Sequence, residues 1–145
     1  MVLTVMPEPN FTGVWRLELA MSALKIEPPR ELLFKIEHDG PHVRQRSLTI
    51  GRDGGEERGD FAFTIGGETV SAIRGMRAVV HARWEGAVLI VESKVSAPGR
   101  ELEFRDRWSL SNDGATLTMS HPDDALAGQV SVFERGEDTD AKRFA

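Results

Sequence analysis

Apolar and polar side chains alternate along most of this chain, in short runs separated by glycine, proline and Asn-Asp-Gly turns. The clearest run is 101–110. Its apolar positions share one face, and they are Leu102, Phe104, Trp108 and Leu110. A period of two predicts a β-strand with one buried face. Asp106 is the one charged side chain on the apolar face of this run.

The same pattern predicts about ten strands along the chain. They cover 11–19, 32–38, 42–50, 61–65, 68–73, 77–84, 87–95, 101–110, 116–121 and 129–135. Segment 51–59 is rich in glycine and charge and is expected to be an exposed turn. Segment 20–30 ends at Pro28-Pro29, so we expect a loop or a short lid there.

Hairpin-length turns join most of these strands, which favours one closed up-and-down antiparallel β-barrel of about 8 to 10 strands with little helix. Closure also removes the exposed edges that an open sheet would leave. A β-sandwich is the alternative, although its Greek-key crossings need longer connections. We expect an N-terminal extension over 1–9, the barrel over 10–135, and a polar C-terminal tail over 136–145 that frays.

Composition and charge restrict the classes of partner. The 145 residues include no cysteine, which excludes disulfides and thiolate chemistry. The chain has 18 Lys and Arg against 23 Asp and Glu, a formal net charge of −5, and its basic residues are dispersed. Nucleic acid and anionic membranes are therefore not expected as partners.

No targeting or membrane-spanning segment is expected. Residues 1–7 lack a basic start, and Pro7 and Pro9 interrupt the apolar residues. No window approaches the roughly 20 apolar residues that a membrane span needs. We expect a cytoplasmic protein; the mature region of an exported protein is the alternative.

Short motifs at both ends of the predicted barrel carry a family resemblance. Gly13-x-Trp15 lies in the first strand, Arg135 ends the last, and Lys35-Ile36-Glu37-His38 lies between them. With the strand meander, these motifs resemble the lipocalin and calycin families, and in particular uncharacterised bacterial lipocalin-like domains with an N-terminal Gly-x-Trp. The resemblance implies that Trp15, beside Gly13, closes one end of the barrel while Arg135 packs across its ring as a cation–π contact.

Two departures limit what the resemblance implies. Lipocalins have eight strands and a C-terminal helix packed on the barrel, whereas this sequence predicts about ten strands and only a polar tail. Ten strands are similar to the fatty-acid-binding branch of the calycins. That branch has a helix-turn-helix lid and a tyrosine-containing carboxylate site, and this chain has no tyrosine. Fatty acid is therefore not supported as the ligand.

The resemblance and the inward positions of the strands suggest a small-molecule-binding barrel for an apolar or amphipathic ligand. His38, Asp106 and His121 are polar residues in phase with apolar neighbours, and an unpaired buried carboxylate costs several kcal/mol. We expect such residues to orient a mostly apolar ligand. The residues predicted to contact it are Phe34, His38, Trp84, Phe104, Asp106, Trp108 and His121.

Other interpretations remain open at this stage. Aromatic side chains can fill a small barrel, which would then act through its surface or as a homodimer. In that case Asp106 pairs with a nearby arginine, and the histidines lie in water. A lumenal enzyme is less favoured, and it requires Asp106 and a histidine within hydrogen-bond reach inside a cavity.

The sequence gives little indication of a metal, phosphate or nucleophile site. The histidines at 38, 42, 81 and 121 lack metal-ligand spacing, and no phosphate loop or nucleophile motif occurs, so no metal or cofactor is expected. Arg44 and Arg46 are expected on the outer face with Arg77, Arg105 and Arg107. A reversed register would point Arg44 and Arg46 inward and suggest an anionic ligand.

Overall fold

The structure is a computed structural model that describes residues 8–145, and it contains ten strands and two short helical segments. The strands are β1 Gly13–Leu17, β2 Glu31–Asp39, β3 His42–Ile50, β4 Glu56–Thr64, β5 Glu68–Ile73, β6 Met76–Glu85, β7 Val88–Ala97, β8 Arg100–Leu110, β9 Thr116–His121 and β10 Gln129–Arg135. A 3₁₀ turn covers Leu19–Met21, and α1 covers Asp138–Lys142. Among these residues, no helix has the length and apolar character needed to cross a membrane.

The strands form one antiparallel sheet in the order β4-β3-β2-β1-β10-β9-β8-β7-β6-β5. Except for β4 and β5, consecutive strands are antiparallel neighbours, and β1 also pairs with β10, with Trp15 opposite Arg135. In the described part of the chain, no ladder joins β4 to β5; near their turn, the amide of Thr64 donates to Oγ1 of Thr69. The predicted all-β, up-and-down barrel is therefore confirmed, and it is nearly closed.

Strand β4 begins earlier than the sequence pattern predicts. Residues 56–60 belong to the strand and pair with β3, whereas the sequence predicts a turn over 51–59. They carry charged and mostly exposed side chains because the other side of β4 has no strand partner. Because this part of the strand packs no apolar face against a neighbour, its sequence shows no alternation of apolar and polar residues.

The register of β3 is settled by its neighbours. Arg44 bonds Asp60 of β4, and Arg46 bonds Glu37 of β2, all on the outer face. The opposite face of β3 carries Val43 in the core. Arg44 and Arg46 therefore point outward, as expected, and the reversed register is excluded.

Aromatic side chains fill the end of the barrel where β1 begins. Phe11, Trp15 and Trp108 are fully buried there. The rings of Phe11 and Trp108 meet edge to face at 5.5 Å, and those of Phe63 and Trp108 at 5.7 Å. This half of the barrel, which we call the closed half, is a packed core.

The C-terminal segment differs from the expected fraying tail. Helix α1 follows β10, and Phe144 is only 7% exposed against Leu33 and Leu48 on the outer face of the sheet. Arg16 bonds Asp140 at 2.9 Å. One aromatic residue among polar ones gave no periodic signal in the sequence, and its apolar site exists only where two strands lie side by side.

Candidate ligand-binding site

The other half of the barrel, which we call the open half, contains a cavity of about 390 Å³. Its walls come from β2, β3, β4, β5, β7, β8 and β9. The wall residues that matter below are Phe34, Ser47, Thr49, Glu57, Phe61, Ser93, Phe104, Asp106, Trp108 and His121. Four of the lining side chains are Phe or Trp and more than half are polar or charged, but the exposed surface of the wall is more apolar than polar. Such a surface suits an amphipathic molecule, with an apolar body and a polar end.

Strand β8 defines the depth of the cavity. Phe104, Asp106 and Trp108 alternate inward, and Trp108 belongs to the core of the closed half. Asp106 therefore lies on the floor of the cavity, beside the last apolar layer. Trp108 donates from Nε1 to Asp106 Oδ2 at 2.9 Å, which ties the carboxylate to that layer.

Asp106, His121 and Asp124 form a buried row, which we call the floor cluster. His121 Nε2 lies 3.3 Å from Asp106 Oδ1, and Nδ1 lies 2.7 Å from Asp124 Oδ2. The side chains are 24%, 13% and 4% exposed, in the order Asp106, His121, Asp124. The sequence-based alternative, in which Asp106 pairs with arginine and His121 lies in water, is wrong on both points.

Backbone amides hold the outer member of the floor cluster in place. The amide of Arg105 donates to Asp124 Oδ2 at 2.6 Å, and that of Leu126 donates to Oδ1 at 2.8 Å. The guanidinium of Arg105 points away, to Asp123 at 2.8 Å. His121 is thereby fixed at its Nδ1 side, while its Nε2 side reaches the cavity floor.

The pKa values of the two carboxylates in the floor cluster are shifted in opposite directions. Burial raises the pKa of Asp106 from 3.8 to about 6, against the opposing effects of His121 and the Trp108 hydrogen bond. Burial also acts on Asp124, but the backbone amides and His121 outweigh it and lower its pKa. Asp106 is therefore the carboxylate of this cluster that changes its proton near neutral pH.

Metal binding does not suit this geometry. His121 offers a different ring nitrogen to each carboxylate, so the three side chains do not converge on one point. Over residues 8–145, no three His, Asp or Glu side chains are grouped to hold a metal ion.

The mouth of the cavity continues into a second space of about 690 Å³. Both spaces are bordered by Phe34, Ser47, Thr49 and Arg74. The outer space lies under segment 24–29, which includes Leu24 and Ile26.

Segment 18–30 crosses the open end as a tethered strap rather than a free loop. Ala23 pairs with Val130 of β10, and the amide of Lys25 donates to Gln129 Oε1 at 3.0 Å. At the far end of the strap, the amide of Arg30 donates to the carbonyl of Ile50 at 2.8 Å. The strap covers part of the mouth while its bonds hold it to strands on two sides.

Five of the residues predicted to contact a ligand lie at the cavity. They are Phe34, Phe104, Asp106, Trp108 and His121. His38 and Trp84 lie in the closed half instead, where both stack near Phe11 at 5.8 and 6.0 Å between ring centroids.

The environment of His38 is that of a structural side chain. Its Nδ1 accepts from the amide of Phe11 at 3.2 Å, and its Nε2 donates to the carbonyl of Gly40 at 3.0 Å. Burial lowers its pKa, which favours this neutral form. His38 thus joins the start of the barrel to the β2–β3 turn.

Trp15 and Arg135 make the contact that the resemblance implies. The guanidinium carbon of Arg135 lies 4.0 Å from the centroid of the Trp15 ring. Arg135 also donates to the carbonyls of Thr12 and Gly114 at 2.8 and 3.1 Å. A Cβ on Gly13 would overlap this guanidinium, so glycine makes room for the closure.

Several cavity residues were not anticipated from the sequence. Gln45, Ser47 and Thr49 on β3 and Ser93 on β7 line the cavity, and Asp124 completes the floor cluster. Because Gln45, Ser47, Thr49 and Ser93 are polar, the alternation of apolar and polar residues does not mark them as inward positions. For Asp124 a signal did exist, because an aspartate three residues after His121 can turn back to it.

This chain resembles known proteins in architecture rather than in sequence. No protein-family model matches it, and no curated protein matches it significantly. Solved structures that are similar in fold include three from different kinds of protein. They are secretory abundant heat soluble protein 4 from Ramazzottius varieornatus (TM-score 0.65, 14% identity, 93% of this chain and 100% of that chain), a single-residue mutant of the fluorescent protein UnaG (0.61, 12%, 88% and 97%), and a Schistosoma mansoni fatty acid binding protein in complex with arachidonic acid (0.56, 10%, 88% and 96%). At these identities the likeness concerns architecture alone, and the fold of this chain is the nearly closed, ten-stranded up-and-down β-barrel that it shares with these structures.

Proposed function

We propose that this protein binds a small apolar or amphipathic molecule in the open half of its barrel. The observation that carries the proposal is the cavity of about 390 Å³, whose lining combines four Phe and Trp side chains with polar groups that include Asp106 and His121 on its floor. Its volume falls in the range of roughly 300 to 1,000 Å³ that is usual for small-molecule sites. Phe34, Phe61 and Phe104 supply apolar contact area, and Asp106 with His121 supplies a polar end.

The fold supports this proposal in general terms. One structure of similar architecture, the fatty acid binding protein, holds arachidonic acid, an elongated amphipathic molecule. The similarity does not extend to the choice of ligand, because the present chain has no tyrosine and its cavity floor carries a carboxylate.

The alternative of a barrel with a filled core applies to one half of the molecule. Aromatic residues pack the closed half, as that alternative requires, but the open half keeps its cavity. Action through the outer surface or as a homodimer stays a prediction that nothing in the described chain favours over ligand binding.

A second candidate function is proton transfer on the bound molecule. The observation that favours it is that Asp106 and His121 lie 3.3 Å apart at a cavity, which meets the geometric condition for an acid–base pair. The distinguishing result is chemical change of a bound compound, which binding alone does not produce.

Filling the cavity tests the main proposal. Thr49 borders both the cavity and the outer space, so Thr49→Phe should occupy the passage between them. We expect Nile red, a neutral apolar dye, to gain fluorescence with the wild type, and we expect Thr49→Phe to weaken its apparent affinity by about tenfold or more.

The matched control is Thr118→Phe, which places the same side chain on the outer face of β9 between the inward residues Leu117 and Met119. Its dye binding should equal that of the wild type. No dye uptake by the wild type, or equal uptake by Thr49→Phe, would contradict the proposal. Circular dichroism melts verify that both variants are folded.

A further inference from the structure

We propose that the molecule bound in the cavity carries a basic group, an ammonium or a similar cationic hydrogen-bond donor, and that Asp106 receives this group on the cavity floor. The inference rests on the proposed function and specifies its ligand. It is carried by the charge of the floor cluster, by the open hydrogen-bonding capacity of Asp106, and by the position of the nearby arginines.

The floor cluster is negative in each relevant protonation state. With one proton shared among its members, Asp106, His121 and Asp124 carry a net charge of −1, and without that proton they carry −2. A cationic ligand would reduce this charge, and an anionic ligand would increase it in a partly desolvated site.

The arginines near the cavity do not neutralise its floor. Arg105 turns outward to Asp123. Arg74 borders the mouth and lies 3.8 Å from Glu57. Arg58 bonds Glu56 and donates to the carbonyl of Arg143 in the C-terminal segment on the outer face. The positive charges of the cavity wall therefore lie at the entrance or on the outer face, already paired with carboxylates.

Asp106 has spare capacity to accept hydrogen bonds. A carboxylate can accept about four, and Asp106 Oδ2 accepts one, from Trp108. Its Oδ1 is buried and has no hydrogen-bond partner, since His121 Nε2 lies at 3.3 Å in a geometry that forms no hydrogen bond. Because Oδ1 itself is out of contact with solvent, a ligand donor would meet the carboxylate where the side chain is 24% exposed. It would add a charged partner to a carboxylate that accepts a single hydrogen bond from the described protein.

The carboxylate is also rigidly supported. Trp108 holds it from the closed half, while the amides of Arg105 and Leu126 fix Asp124 and, through it, His121. A preorganised carboxylate binds a cation without a further cost of ordering its own side chain. At pH 7.5 Asp106 is mostly ionised, because its pKa of about 6 lies below that pH.

Three probes with the same dodecyl chain and different head groups distinguish cationic, neutral and anionic ligands. Dodecylamine, dodecanol and dodecanoate are each titrated at pH 7.5, below their aggregation concentrations, against wild type loaded with Nile red. We expect dodecylamine to displace the dye at a concentration about tenfold or more below that of dodecanoate, with dodecanol between them.

Two variants show whether Asp106 causes this order. Asp106→Asn keeps the size and an acceptor for Trp108 but removes the charge, so dodecylamine should bind about tenfold more weakly while dodecanol changes by less than about threefold. Glu103→Gln is the control, because it removes a carboxylate from the outer face of the same strand, where Glu103 is 69% exposed and lies 3.7 Å from Lys94. It should change dodecylamine binding by less than about threefold.

The outcomes distinguish this inference from the proposed function. Dodecanoate binding as tightly as dodecylamine, or an unchanged preference in Asp106→Asn, overturns the basic-ligand inference and leaves the barrel as a binding protein. Failure of the wild type to take up Nile red and all three probes overturns both.

Discussion

Asp106 is a carboxylate placed where packing alone would favour an apolar side chain. Its neighbours along the inward face of β8 are Phe104 and Trp108, and the barrel supplies it with an indole donor and a histidine rather than an arginine. Burial raises its pKa because the charged form loses hydration that these partners do not fully replace. Such a residue lowers stability at neutral pH, which is a common property of functional sites.

The pH dependence of the free energy of unfolding directly tests this destabilisation by buried, ionised Asp106. The pKa of Asp106 is about 6 in the folded state and near 3.8 when unfolded, so its penalty is absent below about pH 4, grows as pH rises, and is complete above about pH 7. Asp106→Asn removes the penalty. We expect the variant to exceed the wild type in free energy of unfolding by about 2 kcal/mol at pH 8 and by little at pH 4.

Urea unfolding of both proteins across this pH range measures the difference. The difference, rather than either absolute curve, is informative because Asp60, Asp124 and Asp140 have lowered pKa values and weaken both proteins in acid. A difference that stays constant with pH would show that Asp106 does not titrate in the way its burial implies.

Gly13 is required by its neighbours and by its backbone. Its φ is +150°, a conformation that side chains rarely adopt, and a Cβ there would overlap Arg135. Gly13→Ala should therefore lower the free energy of unfolding by about 1 to 3 kcal/mol. Gly67→Ala, at a turn with open space around the added carbon, is the control and should change it by less than about 1 kcal/mol. Equal stability of the two variants in thermal melts would contradict this account.

At the scale of elements, two of the strands that bound the site, β3 and β4, depart from regular alternation. β4 lacks a ladder to β5 in the described chain, so its mostly charged residues 56–60 lie at a sheet edge, and residues 57–60 also border the cavity. The inward face of β3 is polar at Gln45, Ser47 and Thr49. Both features depart from the simple alternation that makes a strand easy to predict, and both belong to the site.

Helix α1 shows how a short polar segment can be ordered by few contacts. Glu137 and Asp140 form a capping box at its start, Arg16 bonds Asp140, and Phe144 covers Leu33 and Leu48. A five-residue helix is not stable by itself, so these contacts with the barrel hold it.

Removing the aromatic anchor of this segment should cost stability but not binding. Phe144→Ala exposes Leu33 and Leu48 and should lower the free energy of unfolding by about 2 to 4 kcal/mol, measured by urea unfolding. Nile red affinity should stay within about twofold of the wild type, because Phe144 packs on the outer face of the sheet. Met21→Ala, at a residue 57% exposed, is the control and should change stability by less than about 0.5 kcal/mol. A stability loss no larger than that of the control would show that the C-terminal segment is not anchored.

The whole molecule combines a packed half and a hollow half within one barrel. Trp15, Arg135 and Phe11 seal the closed half, and Trp108 separates it from the cavity. The packed half supplies the rigid floor on which the floor cluster is built. This division reconciles the two sequence-based interpretations, a filled core and a ligand cavity, because each describes one end of the same barrel.

The sequence by itself determined the class of fold, since a period of two and regular turn signals act over a few residues. It also placed Asp106 among inward positions by parity along one strand. Only the tertiary structure decided that Asp106 meets His121 and Asp124, that Arg44 and Arg46 point outward, and that His38 and Trp84 lie away from the cavity. The reason is physical: most of these contacts join one strand to another, so pairing register and barrel closure set their distances, whereas local alternation sets only which face a side chain occupies.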